Sequence, residues 1–253
     1  MTFRERLIAG ETLAATWVKT PHPHVVEVLA LTPLDALVLD AEHAPFDRTA
    51  LDLCVLAARA GGMPVLVRPP SADPASILQA LDAGADGVVV PHVRSAAEAR
   101  AAVLASRYRP GGRGFAGSTR AAAYTTKGMD RHRADSDAVC VIAQIEDAEA
   151  LDAIEELAAV DGIDALFVGR ADLTVSLDAD TPDAPAVVAA VERICAAGAA
   201  AGRRVGMFLS RRSDVASWRE QGATLFILAS DQEFLLAGAR ALAAEVAGEG
   251  TAA

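Results

Sequence analysis

The chain has 253 residues, 52% of them apolar, which is ample for one sizeable core. Its formal charge of −11, from 23 basic and 34 acidic residues, excludes the basic stripe that nucleic acid or an anionic membrane surface requires. The start, MTFRERLIAGET, is too charged for a secretory leader and no apolar run is long enough to span a bilayer, so a cytoplasmic protein is expected.

In chain order, short β-rich runs alternate with alanine-rich helical ones. Residues up to about Gly10 read as a capping helix. Strands are predicted over 14–18, 36–40, 65–68, 87–91, 139–145, 165–168, 204–209 and 224–228. Helical spacing covers 48–60, 74–83, 96–106, 148–159, 185–201 and 213–221. Pro74 behind Asp73 fits a first helical turn, and Gly61, Gly84 and Gly222 punctuate helix ends ahead of strands. The connection 108–137 breaks the rhythm and carries Gly111-Gly112-Arg113-Gly114, expected to be a mobile or interface loop rather than a phosphate cradle. Cys54, Cys140 and Cys195 lie in apolar segments without a CxxC pair, as buried thiols of a reducing compartment do. Residues 248–253 are expected to fray.

Runs such as ALVLD, VLVR and GVVVP are continuously apolar, as in parallel strands covered on both faces. Alternating β and α units demand right-handed crossovers, and about eight of them close into a barrel. An open doubly wound sheet is the alternative, but it would carry a glycine-rich turn after the first strand, where this chain reads WVKTPHP. The predicted fold is therefore α/β, a single-domain (β/α)8 TIM barrel over 1–253 with an N-terminal capping helix.

Barrels of this kind place chemistry at the C-terminal strand ends. There the sequence offers Lys19, His22 and His24, then Asp40, Glu42 and His43, then Arg68, then His92 and Arg94. Gln144 and Glu146 follow on the fifth strand, Arg170 and Asp172 after the sixth, Leu209 and Ser210 at the seventh. Glu146 and Asp172 come from consecutive strands about 5 Å apart, so their carboxylates can share a hard divalent cation such as Mg²⁺ or Mn²⁺. Alternatively, Glu146 opens a helix and Asp172 caps a turn. His43 is the general-base candidate, since imidazole ordinarily titrates near neutrality, and Asp82 is a candidate to orient it. Arg68, at the end of an apolar strand, must pair with a carboxylate or meet an anionic ligand.

Together, LDAEHAP (39–45), VRPP (67–70), VPHV (90–93), GRG (112–114), QIE (144–146) and GRADL (169–173) resemble the HpcH/HpaI aldolases, the metal-dependent pyruvate aldolases, over nearly the whole chain. The resemblance implies reversible aldol addition and cleavage between an aldehyde and pyruvate, or a related 2-keto acid such as hydroxypyruvate. By the same resemblance, His43 is the acid/base with Asp82 as its dyad partner, and Arg68 steadies the enolate oxygen. Glu146 and Asp172 would hold Mg²⁺, Mn²⁺ or Co²⁺. Gln144 and the backbone at Ala171 and Asp172 would contact the keto-acid carboxylate, with Trp17 and Leu209 lining the aldehyde pocket. It further implies a homohexamer, a trimer of dimers, with a C-terminal helix exchanged between neighbours. Two positions depart from the family pattern: Arg170, where proline is frequent, and His92. A cation at Arg170 would select an acidic acceptor or form an interface pair.

Three other readings compete. A Schiff-base aldolase needs a lysine inside the barrel, and Lys19 and Lys127, the only lysines, lie off the central strands. A CoA-ester lyase of the malyl- or citramalyl-CoA type shares the barrel and the metal site, but usually carries a basic CoA site and extra C-terminal chain. A non-catalytic binding barrel would lack the converging acid, base and metal positions.

Overall fold

The computed structural model describes residues 1–248; the remainder of the stretch expected to fray lies outside the described residues. Eight parallel strands close in sequence order: β1 (Leu13–Val18), β2 (Ala36–Asp40), β3 (Val65–Arg68), β4 (Gly87–Val90), β5 (Cys140–Ile145), β6 (Ala165–Val168), β7 (Arg204–Leu209) and β8 (Ala223–Ser230). Pairing of β1 with β8, Leu13 opposite Leu225, seals the barrel and removes the open-sheet alternative. Each strand falls within two residues of its predicted span.

The helices are α1 (Phe3–Ala9), α2 (Pro23–Leu29), α3 (Arg48–Ala60), α4 (Pro74–Asp82), α5 (Ala96–Ala105), α6 (Met129–Asp137), α7 (Glu149–Asp152), α8 (Ile154–Ala158), α9 (Arg170–Ser176), α10 (Pro185–Ala200), α11 (Val215–Glu220) and α12 (Asp231–Ala247). Several depart from the sequence expectation, among them α9, which follows β6 where no helix was predicted. The single helix predicted over 148–159 is two, broken at Ala153 (φ −122°, ψ 22°). The helix α2 is too short and too rich in valine for its periodicity to show, and starts from a His22 cap and a first-turn proline. The long connection contains α6, whose polar sequence MDRHRADSD buries only His132 and Ser136.

Strand alternation sorts side chains into two layers. Leu13, Ala15, Trp17, Val38, Leu66, Ile142 and Phe167 fill the barrel, whereas Leu37, Leu39, Val67, Val88, Val141, Leu166 and Met207 face the helices. The polar strand ends continue the inward register: Asp40 follows Val38, Arg68 follows Leu66, and Gln144 and Glu146 follow Ile142. The site is therefore an extension of the barrel interior.

The opposite end is closed by α1, as expected of a capping helix. Thr2 and Glu5 form a capping box, which sets the helix so that Phe3 and Leu7 insert beneath Leu13 in the barrel-interior cluster. Leu7 is fully buried, so Leu7→Ala should lower unfolding free energy by about 2–5 kcal/mol in urea titrations while leaving the rim chemistry in place.

By contrast, α12 buries only Asp231, and leaves Leu235, Leu236, Leu242 and Val246 exposed. Among the described residues no helix is long and apolar enough to cross a membrane. All three cysteines are free and buried.

Candidate active site

The rim is organised by a buried guanidinium. Arg68, 5% exposed, reaches Asp40 Oδ1 through Nε (3.0 Å) and Nη2 (2.8 Å), and Glu42 Oε2 through Nη1 (3.2 Å). Its face lies over the Trp17 ring at 4.3 Å, and Trp17 packs edge-on against Phe167. Burial works to raise the Asp40 carboxyl, but Arg68, the His43 backbone N–H and Lys19 overcome it and leave the pKa below the ordinary value. Glu42 goes the other way: burial raises it, Glu146 adds to the rise, and Arg68 only partly offsets both.

Glu146, 2% exposed, accepts the His92 backbone N–H at Oε1 (2.9 Å) and the Gln144 amide at Oε2. The His92 ring is held in turn by Asp147 (Nδ1 to Oδ2, 3.0 Å), with Nε2 3.5 Å from Glu42 Oε1. Burial lowers the His92 pKa, but Asp147, Glu146 and Glu42 outweigh it and the net shift is upward. Glu42, His92 and Glu146 bring one ligand atom each to within 4.8 Å of one another, a grouping that could hold a metal ion. Asp40 Oδ2, Glu42 Oε2 and Gln144 Oε1 are buried and make no hydrogen bond, the first having only the Lys19 ammonium at 3.4 Å and the second the Arg68 guanidinium at 3.2 Å. Buried acceptors left in this state are costly unless a cation or water meets them, so the donor set fits a hard divalent ion.

Beside this cluster opens a cavity of about 320 Å³, lined among others by Trp17, Lys19, Arg68, Gln144, Asp172 and Phe208. The predicted residues do not all converge as expected. Trp17, Gln144, Ala171 and Asp172 line the cavity. Asp172 does not join the Glu146 grouping among the described residues, because it sits exposed in the first turn of α9 while Glu146 turns toward Gln144 and His92. Leu209 is a correction: with Val205 and Met207 it faces the helices, and its neighbour Phe208 takes the cavity wall. The error is one residue of strand phase, which reverses the face.

His43 is in the loop after β2, its backbone N–H on Asp40 Oδ1 (3.1 Å), its ring half-exposed and 3.7 Å from Glu42 Oε2. Asp82 does not orient it within this chain. The helix α4 runs back from β3 to the start of β4, so its last residue, Asp82, lies at the far end of the barrel, where it pairs with Arg113. That pairing also anchors the glycine-rich loop: Arg113 is buried and stacks on Tyr108 at 4.6 Å. A second cavity there, about 240 Å³, is lined by cations already paired, Arg4 with Asp164 and Lys127 with Asp135.

Arg170 is likewise engaged within the chain. It donates to the Pro182 carbonyl (2.8 Å), reaches Asp183 at 3.4 Å and lies over Trp218 at 5.2 Å. These contacts lie within one chain, and Arg170 also lines the cavity. Asp40, Glu42 and His92, expected at the rim from their strand-end positions but without an assigned role, prove to frame the cluster. Gly169 was missed. A Cβ there would stand 2.7 Å from Glu146 Oε2 and 2.8 Å from its Cβ. Gly169→Ala should therefore displace the Glu146 carboxylate and weaken divalent-ion binding by about 10-fold or more, read by calorimetric titration.

A closed parallel barrel with buried carboxylates, a buried guanidinium and a rim cavity defines a TIM-barrel enzyme whose site is suited to a cation and an anionic substrate. The chain belongs to the HpcH/HpaI aldolase/citrate lyase family, whose pattern matches residues 13–237. It is 36% identical over 250 residues to a 4-hydroxy-2-oxo-heptane-1,7-dioate aldolase of Salmonella arizonae, covering 98% of this chain and 95% of that protein. A crystal structure of an HpcH/HpaI aldolase/citrate lyase family protein from Burkholderia cenocepacia J2315 superposes with a TM-score of 0.90 at 34% identity, over 96% and 98% of the two chains. The citrate synthase SbnG superposes with a TM-score of 0.85 at 29% identity, over 98% and 97%. The chain is accordingly a carbon–carbon lyase of the aldolase type.

Proposed function

We propose that the chain is a divalent-metal-dependent aldolase that joins or parts an aldehyde and the enolate of pyruvate or a related 2-keto acid such as hydroxypyruvate. The observation that carries this reading is the grouping of ligand atoms from Glu42, His92 and Glu146 within 4.8 Å of one another, beside the Arg68 guanidinium that lines the cavity. Glu146 with Asp172 would hold the ion, and Glu42 and His92 stand close enough to contribute. A bound Mg²⁺, Mn²⁺ or Co²⁺ supplies fixed positive charge worth several kcal/mol to a developing enolate.

The protein's own residues do the rest. Arg68, locked by Asp40 and Glu42, presents a second positive charge to the enolate oxygen without reorganising. The Gln144 amide and the backbone at Ala171 and Asp172 orient the keto-acid carboxylate. His43, half-exposed over the rim, takes the methyl proton or returns it to the new alkoxide, directly or through a water. Trp17 and Phe208 form the apolar wall against which the aldehyde packs. Asp82 would serve His43 only from outside this chain's own rim.

The uncovered apolar face of α12 supports a homo-oligomer in which that helix lies on a neighbour. A hexamer built as a trimer of dimers is the proposed form. Leu242→Glu should shift the sedimentation profile toward smaller species. The buried free thiols are in keeping with a cytoplasmic setting.

The deciding experiment is an aldehyde screen with pyruvate and hydroxypyruvate under Mg²⁺, Mn²⁺ and Co²⁺. Metal-dependent product formation that stops on chelation supports the reading. Turnover of malyl- or citramalyl-CoA alone would replace it with a CoA-ester lyase, and failure to bind any divalent ion would replace it with a non-catalytic barrel.

A further inference from the structure

We propose that Arg170 is a positioning residue: its guanidinium holds the Gly169–Asp172 turn in place for the ion and the 2-keto acid, and does not itself touch substrate. The inference rests on the aldolase reading above and names what keeps that site in order. The turn needs an outside anchor. It opens α9, a helix of only seven residues with little stability of its own, and no side chain caps its start. Yet it borders both parts of the site. Ala171 and Asp172 line the cavity, and Gly169 lies so close to Glu146 that a Cβ would stand 2.7 Å from Oε2. Any drift of the turn is therefore passed to the Glu146 carboxylate and to the cavity wall together.

Arg170 supplies the anchor. Its side chain is 9% exposed, lies over the Trp218 ring at 5.2 Å, and donates through Nη2 to the Pro182 carbonyl at 2.8 Å. The same nitrogen is 3.4 Å from Asp183 Oδ1. Asp183 is held in turn by Arg211, which reaches both of its oxygens at 2.8 Å and Asp214 Oδ2 at 3.0 Å. The contacts thus run from the turn after β6, through residues 182–183 ahead of α10, to the loop after β7 and to α11. The outer links are weak, because the Asp183 and Arg211 side chains are 51% and 56% exposed. The buried links, to Pro182 and Trp218, carry the anchoring. The Arg170 Nε is buried without a partner, a cost that an apolar side chain over Trp218 would avoid. Stability alone therefore does not favour arginine here, whereas a planar fork reaching Pro182 and Asp183 fixes the direction of the turn. Although Arg170 lines the cavity, Nη2 is committed to Pro182 and Asp183, and Nη1 lies 4.0 Å from Asp214 Oδ2.

The test compares Arg170→Met, Arg170→Lys and Arg170→Pro by Mn²⁺ titration calorimetry and by the kinetics of pyruvate addition to butanal and to succinate semialdehyde. Arg170→Met should raise KM for pyruvate by about 10-fold and the Mn²⁺ Kd by about 3- to 10-fold. Its kcat should stay within about 3-fold of wild type, with the same loss for both aldehydes. Proline fixes the first-turn φ covalently, and Gly169, at φ −85° and ψ 78°, is already outside the α region that a following proline disfavours. Arg170→Pro should therefore recover most of both constants, whereas Arg170→Lys, a point charge without the planar fork, should recover little. A lysine variant near wild type beside an impaired proline variant would overturn the inference and assign Arg170 a charge contact with substrate. Unchanged constants in Arg170→Met, or a loss confined to one aldehyde, would overturn it as well. If Arg170→Met does not fold, the proline and lysine variants decide by the same criteria. If the wild type turns over neither aldehyde, the aldolase reading fails and the Mn²⁺ titrations alone judge Arg170; if it also binds no Mn²⁺, both fall.

Discussion

Glu146→Gln should reduce turnover by about 10³-fold or more and weaken divalent-ion binding by about 10²-fold, while leaving the apo fold intact. The substitution preserves volume but removes a charge from a carboxylate that is 2% exposed. It also puts an amide where both oxygens now accept, Oε1 from the His92 backbone and Oε2 from Gln144. Part of the upward shift of Glu42 comes from Glu146, so neutralising Glu146 relieves repulsion within the cluster. The apo variant should therefore melt no lower than apo wild type, and only wild type should gain stability on adding Mn²⁺. A variant that both binds Mn²⁺ normally and turns over normally would remove Glu146 from the ion site.

Arg68→Met should cost about 10²- to 10³-fold in kcat and about 3–5 kcal/mol in unfolding free energy at neutral pH. The first figure follows from losing a fixed positive charge at the enolate. The second follows from leaving Asp40, fully buried, and Glu42, 9% exposed at its side chain, without their principal partner. The pH dependence has a definite sign. In the wild type the folded Asp40 pKa is depressed, so its stabilising contribution is complete above the ordinary carboxylate range and is lost as pH falls through the depressed value. Removing Arg68 removes that contribution. The stability gap between wild type and variant should thus be widest near neutrality and should narrow on acidification, as paired urea titrations would show. A gap that widens toward acid would contradict the assigned pairing.

Much of the molecule was legible from its residues because the barrel repeats one physical rule. Buried parallel strands such as ALVLD and VLVR must be continuously apolar, and their polar ends then mark the rim. That reasoning located Arg68, Gln144, Glu146 and His43 at the correct end. It was less successful where a single residue of phase decides the face, as at Leu209 and Phe208, because a six-residue strand apolar on both faces carries no alternation. Short helices escaped for the complementary reason: α6 lacks an apolar stripe, and α2 spans only seven residues.

Contacts set by side-chain rotation were not legible. Nothing in VPHV announces that His92 adopts a left-handed backbone (φ 53°) and turns its ring between Asp147 and Glu42. Nor does GRADL show that Arg170 folds back over Trp218. Asp82 illustrates the limit of reading one chain. Its sequence setting suggested a partner for His43, yet the return path of α4 carries it to the far end of the same barrel and onto Arg113.

An ion held at Glu146 would supply, together with Arg68, the positive charge for an enolate that forms before any aldehyde is engaged. Exchange of the pyruvate methyl protons in D₂O, followed by proton NMR without an acceptor, isolates that event. Exchange should be rapid with Mn²⁺ or Mg²⁺, slow in His43→Ala, and absent after chelation and in Glu146→Gln. Exchange that continues at the wild-type rate after chelation, or in Glu146→Gln, would contradict the account.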